Sequence, residues 1–106
     1  MTTFDEREKE FEARFKHEEE LRFKVTARRN HLIGLWAAGR MGLDAEAAEA
    51  YAKSVVAAEF EAGGDRHVIA KIAADLETKG QGLTPAQIRF ELDHCAEEAK
   101  KQIMKE

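Results

Sequence analysis

Glu91 and His94 stand three residues apart, the spacing at which a helix offers a carboxylate and an imidazole to a di-iron centre. Such a centre needs a second Glu-x-x-His and further inward carboxylates, and no other glutamate here has a histidine three residues later. The pair therefore reads as a surface pair beside an apolar stripe. Cys95 follows His94 directly, but it is the single cysteine of the chain. It can form no internal disulfide and has no zinc-binding spacing, and a small buried thiol is the default reading. His17, His31 and His67 are scattered, with no serine or cysteine placed to make a nucleophile. Gly63-Gly64 and Gly80-x-Gly82 mark helix ends and lack the lysine of a phosphate-binding loop. No catalytic residue, metal ligand or cofactor is expected.

Two groups of residues remain. Ala27-Arg28-Arg29-Asn30-His31 is the basic cluster of the chain. A solvated helix face is its simplest reading; contact with an acidic groove on a partner and helix-turn-helix recognition are the alternatives. The other group is aromatic. Phe4, Phe11 and Phe15 are spaced by seven and four, which confines them to an arc of roughly 40° on a helix. Asp5, Glu6, Arg7, Glu8, Lys9, Glu10, Glu12, Arg14 and Lys16 surround them. Such a stripe needs cover, from its own domain or from another protein.

The elements that carry these residues are helical. With 106 residues, 36% of them charged, and a single proline, the chain is one small domain rich in helix formers, and the expected class is all-α. The formal net charge of −4 argues against non-specific nucleic-acid binding. No apolar run approaches the ~20 residues of a membrane span, and no signal peptide opens the chain. With the lone cysteine, this suggests a reducing, cytoplasmic setting.

Thr3 and Glu6 form a capping box at the start of the first helix. Acid-first pairs four apart follow: Asp5/Lys9, Glu10/Arg14, Glu12/Lys16, Glu18/Arg22 and Glu20/Lys24. Together they supply about 1–2.5 kcal/mol of helix bias. The pattern runs to Trp36–Ala38, where Gly39 and Gly42 are expected to stop it, giving a helix about 50 Å long. Its apolar face changes direction partway. Leu21, Val25, Leu32, Leu35 and Trp36 form a second stripe, roughly 80–90° from the phenylalanines. Residues 21–38 are expected to pack into the domain and residues 3–20 to project or fray. The division is therefore 1–20, a mobile segment, and 21–106, a helical globular domain. Phe23 fits neither stripe.

Three more helices are expected. Asp44 caps one over 45–62, with Ala47, Tyr51, Val55 and Ala58 on one face and Val56 and Phe60 toward a second neighbour. Asp65 caps the next over 66–79, with Val68, Ile69, Ile72 and Leu76 inward. Thr84-Pro85-Ala86-Gln87 opens the last over 85–104, with Ile88, Leu92, Cys95, Ala99 and Ile103 on its stripe. Short loops favour a compact four-helix bundle.

These residues resemble those of the zeta subunit family, the small inhibitor proteins of the bacterial F-type ATP synthase, first catalogued as a domain of unknown function. The similarity lies in the opening Met1-Thr-Thr-Phe-Asp-Glu-Arg-Glu8, in Phe23-Lys24, in Ala27-Arg-Arg-Asn30 and above all in Leu32-Ile-Gly-Leu-Trp-Ala-Ala38. Ala50-Tyr-Ala52 through Val55-Val56, Phe60-Glu61 and the ending Gln102-Ile-Met-Lys-Glu106 are also similar. It is dense over residues 1–62 and looser over 65–99. Cys95 and Phe11 stand outside the family pattern, so no family role attaches to them.

The resemblance implies a four-helix fold with a mobile N-terminal inhibitory segment. That segment would become helical in a catalytic α/β interface, touch the rotor stalk, and block rotation in the hydrolysis direction while opposing synthesis less. Phe4, Asp5, Arg7 and Glu8 match the family's opening. The residue reading adds Phe11, Arg14 and Phe15 to this partner-binding set. Implied partners are the α, β and rotor-stalk subunits of the catalytic head. No nucleic acid and no membrane insertion are expected, and the free protein is expected to be a monomer in the cytoplasm, held peripherally at the membrane through the synthase. An all-helical adaptor for another protein, and a ligand-binding or redox bundle using His94 and Cys95, are the competing readings.

Overall fold

The computed structural model describes residues 3–61 and 64–105, with side chains from residue 18 onward. Four helices follow in order: α1 (Thr3–Arg40), α2 (Ala45–Glu61), α3 (Gly64–Thr78) and α4 (Pro85–Met104). No strand occurs among the described residues. The all-α four-helix expectation is met, with boundaries moved by one or two residues.

Local chemistry accounts for the ends. Asp44 caps α2 by accepting from the Ala47 N–H at 2.8 Å. Thr84 caps α4 with a complete capping box: the Gln87 N–H donates to Thr84 Oγ1 at 3.1 Å, and the Thr84 N–H donates to Gln87 Oε1 at 2.9 Å. Two expected signals behave differently. Gly39 lies inside α1 and does not end it; Gly42 does, at φ 75°, where the Leu43 N–H returns to the Ala38 carbonyl at 3.0 Å. Asp65 lies within α3, and its carboxylate is drawn to Arg29 at 2.9 Å. An arginine from another helix outcompetes the local capping role.

The core gathers Ile33 and Ala37 of α1, Val55 and Ala58 of α2, Val68, Ile72 and Leu76 of α3, and Ile88, Leu92 and Cys95 of α4. All five residues of the expected α4 stripe are buried. On α1 the buried face is displaced from expectation. It runs through Asn30, Ile33, Gly34, Ala37 and Ala38, while Leu21, Val25, Leu32, Leu35 and Trp36 are half-buried at its flanks. The cause is contact density: α1 packs chiefly between α2 and α4 and less against α3. A helix wedged between two others buries its smallest residues at the closest approach.

Gly34 marks that approach. A Cβ there would stand 2.6 Å from the Ala52 Cα, a backbone atom that cannot step aside. Gly34→Ala gains helix propensity of up to ~1 kcal/mol but forces the helices apart. The expected net loss is about 1–2 kcal/mol, read from chemical denaturation. Gly39 is exposed on the same helix with nothing within 4 Å of its Cβ direction. Gly39→Ala is expected to stabilise by about 0.5–1 kcal/mol. Opposite signs from one substitution type, five residues apart, would establish the packing contact as the cause.

The helical body does not account for the length of the molecule. A compact chain of this size has a radius of gyration of about 13 Å, whereas here it is 17.4 Å, with extents of 65 × 26 × 21 Å. At 38 residues, α1 is about 57 Å long. It runs without interruption through residues 20 and 21, where the sequence suggested a division.

Candidate partner-binding site

Phe4, Asp5, Arg7, Glu8, Phe11, Arg14 and Phe15 all lie on the first half of α1. Their side chains fall outside the described residues. So does the Thr3–Glu6 capping box. The described part of the charge ladder begins with Glu18, Glu19 and Glu20, all exposed. Among the described residues, Glu18/Arg22 and Glu20/Lys24 do not close as ion pairs. Fully solvated side chains gain too little from pairing to be held in one geometry.

What the structure resolves is how the second half of α1 is fixed to the body. Arg29 and Asn30 sit at the centre. Asn30 is fully buried. Its Nδ2 donates to Glu59 Oε2 at 3.1 Å, and its Oδ1 accepts from Arg29 Nε at 2.9 Å. Arg29 Nη2 reaches Glu59 at 3.2 Å and Asp65 at 2.9 Å. Arg89 of α4 approaches the other Asp65 oxygen at 3.4 Å. One polar knot thus ties α1 to the end of α2, the start of α3 and the side of α4. Among the described residues no buried side-chain polar atom lacks a partner, as a polar cluster in a low-dielectric core requires.

The basic cluster is therefore not a solvated face. Arg29 is only 11% exposed in its side chain and points inward, because two carboxylates await it there. Arg28 donates to Gln102 of α4 at 2.8 Å, and His31 meets Glu49 of α2 at 2.7 Å. Partial burial pushes the Asp65 carboxyl up, but the hydrogen bond and charge of Arg29 outweigh this. They hold Asp65 below the ordinary carboxylate value.

A second tie joins α2 and α3. Tyr51 donates to Asp75 Oδ2 at 2.7 Å, and Lys71 reaches the same oxygen at 3.1 Å while lying over the Tyr51 ring. Burial, with the hydrogen bond and negative charge of Asp75, raises the Tyr51 pKa beyond any physiological titration. Both knots join helices: the first fixes α1 to the other three, and the second fixes α2 to α3.

His94 is exposed and Glu91 half-buried. Among the described residues no group of three or more His, Cys, Asp or Glu could hold a metal ion. Cys95 is buried in the core. Burial first, then the charge of Glu91, push its thiol up to about 11, so it is a poor thiolate source at neutral pH. Reaction with a disulfide reagent such as DTNB at pH 8 is expected to be slow in the folded protein and fast in denaturant. Rapid reaction without unfolding would revive the redox reading.

Sequence reading missed two features. One is the inward role of Arg29 and Asn30; its signal was Asn30 lying three and four residues before Ile33 and Gly34, on the face that also holds Ala37. The other is Phe23, which stacks on Phe60 of α2 with ring centroids 5.3 Å apart. No helix of the described residues is long and apolar enough to cross a membrane.

The chain matches the family model described as ATPase inhibitor subunit zeta over residues 1–102. A protein solved by solution NMR is similar in fold and sequence, at a TM-score of 0.70 and 39% identity. The match covers 80% of this chain and 96% of that one. No curated protein matches.

Proposed function

Since the chain belongs to the ATPase inhibitor subunit zeta family, we propose that it inhibits ATP hydrolysis by the F-type ATP synthase. Its N-terminal segment, residues 1–20, enters a catalytic α/β interface as a helix beside the rotor stalk. The body, residues 21–106, stays outside. The observation that supports this reading is the continuity of α1. A single helix, Thr3–Arg40, is clamped to the bundle by its second half and extends the molecule to 65 Å.

In this reading Phe4, Phe11 and Phe15 are the apolar anchors, and Asp5, Arg7, Glu8 and Arg14 supply charge contacts at the walls. Ordering about fifteen residues from coil costs more than burial of three phenylalanines returns. The helix bias of the segment, its charge contacts and a cleft open in one rotary state make up the difference. The body holds the segment near the cleft and stops it from passing through. A helix in an interface that must close during hydrolysis blocks that step, while rotation the other way opens the interface again.

The protein acts as a regulator and not a catalyst, with the α, β and rotor-stalk subunits as partners. It is a monomer when free and sits in the cytoplasm at the membrane-bound synthase. Adding it to purified catalytic head is expected to lower ATP hydrolysis, with a smaller effect on synthesis in energised vesicles. Unchanged hydrolysis at saturating protein would reject this function in favour of an adaptor role.

A further inference from the structure

None of the seven glycines of this chain lies before Gly34, and its single proline is Pro85. From Thr3 to Ile33, α1 therefore contains neither residue that breaks a helix, and Glu18, Glu19 and Glu20, which bridge its two halves, are exposed. A flexible tether has the opposite composition, rich in glycine and serine.

The body grips this helix so that it can neither turn nor slide. Asn30 is fully buried, with Glu59 and Arg29 as its partners. A shift of one residue would put Arg29 or His31 in that place. Gly34 meets the Ala52 backbone where a Cβ has only 2.6 Å, and the same shift would bring Ile33 or Leu35 there. The grip is also one-sided. Asn30, Ile33, Gly34, Ala37 and Ala38 are buried and fall within an arc of roughly 140°. Gly39, on the far side of the helix, is exposed with nothing within 4 Å of its Cβ direction. The first half of α1 therefore leaves the body off-centre. Positions 4, 11 and 15 are centred about 90° round the axis from the middle of the buried arc. Position 15 stands about 9 Å before Leu21, where half-burial begins among the described side chains.

We propose, resting on the function given above, that α1 is a connector of set length and set rotational phase. The body fixes how deep positions 4, 11 and 15 enter the cleft and toward which wall they face. An off-centre body broader than one helix clears the rim of the cleft in one orientation; turned half round the axis, it meets the opposite wall. A tether that only keeps the segment nearby is indifferent to a few added residues, because local concentration changes slowly with length. A continuous helix is not: each added residue turns the segment by about 100° and lengthens the connector by about 1.5 Å.

Insertions between Glu19 and Glu20 of the full-length protein separate the two. Ala-Ala turns the first half of α1 about 200° against the body and adds about 3 Å, whereas Glu-Ala-Ala-Lys turns it only about 40° and adds about 6 Å. Both lie before Leu21, so thermal melting is expected to match the wild type. In the hydrolysis assay Ala-Ala is expected to raise the half-inhibiting concentration about tenfold or more, and Glu-Ala-Ala-Lys no more than about threefold. Greater harm from the shorter insertion is the mark of phase. Equal or greater harm from the longer one overturns the set phase. Unchanged inhibition with both overturns the connector in favour of a tether and leaves the N-terminal reading standing. Phe11→Ser runs alongside: its failure to weaken inhibition overturns the N-terminal reading itself, and the connector with it.

Discussion

Removal of residues 1–17 abolishes inhibition of ATP hydrolysis and leaves a folded helical protein: this is the expected result with the largest effect. The reason lies in where the second half of α1 is held. The described hydrogen bonds and buried contacts of that helix to the body fall at Leu21 or beyond. Arg28 bonds Gln102, Arg29 and Asn30 bond Glu59 and Asp65, and Ile33 and Ala37 lie in the core. Truncation at residue 17 removes none of these groups. Circular dichroism should keep the helical signature and cooperative melting of the body, while the half-inhibiting concentration moves out of the accessible range. A truncated protein that still inhibits fully would place the inhibitory surface on the bundle. One that unfolds would show that the first half of α1 belongs to the fold.

The second large effect is expected at Arg29. Arg29→Met keeps the length and most of the apolar stem but strips the guanidinium from Glu59 and Asp65. Removal of one partner from a buried pair costs ~3–5 kcal/mol. Here the Glu59 side chain is 16% and Asp65 36% exposed, so water recovers part of the loss. We expect about 2–3 kcal/mol in chemical denaturation. Adding Glu59→Met to Arg29→Met should recover little, since the fully buried Asn30 amide then loses both of its partners.

The pH dependence follows from Asp65. Its folded value is lowered against the ordinary carboxylate value of 3.8. The stability it contributes is therefore fully present above that ordinary value and is lost as pH falls through the folded one. Wild-type protein should lose stability steeply in acid, and Arg29→Met less steeply, because its Asp65 titrates closer to the unfolded value. Parallel acid profiles would mean that Arg29 does not govern Asp65.

How much of this was legible depends on what each position must satisfy. The stripe of α4 could be read completely, because Ile88, Leu92, Cys95, Ala99 and Ile103 face one neighbouring mass and hydrophobicity alone places them. The Thr84–Gln87 box was equally plain, since its chemistry is contained within four residues. α1 was harder. It is gripped from two sides, so its deepest positions are taken by Asn30, Gly34 and Ala37, chosen for size and hydrogen bonding rather than for apolar area. A search for large apolar residues lands on Leu32, Leu35 and Trp36, which flank that line. Arg29 and Asp65 were misread for the same reason: their partners lie 30 and 24 residues or more away along the chain, beyond any local pattern. The aromatic spacing of Phe4, Phe11 and Phe15 needed only the helical period. What the stripe meets is a property of a second molecule.

A photo-crosslinking residue at position 11 of the full-length protein tests the central claim most directly. Irradiated with the catalytic head during hydrolysis, it should bond to the α or β subunit at their catalytic interface, and to nothing in the body of its own chain. Crosslinks that run back into residues 21–106, with none to the head, would contradict the account.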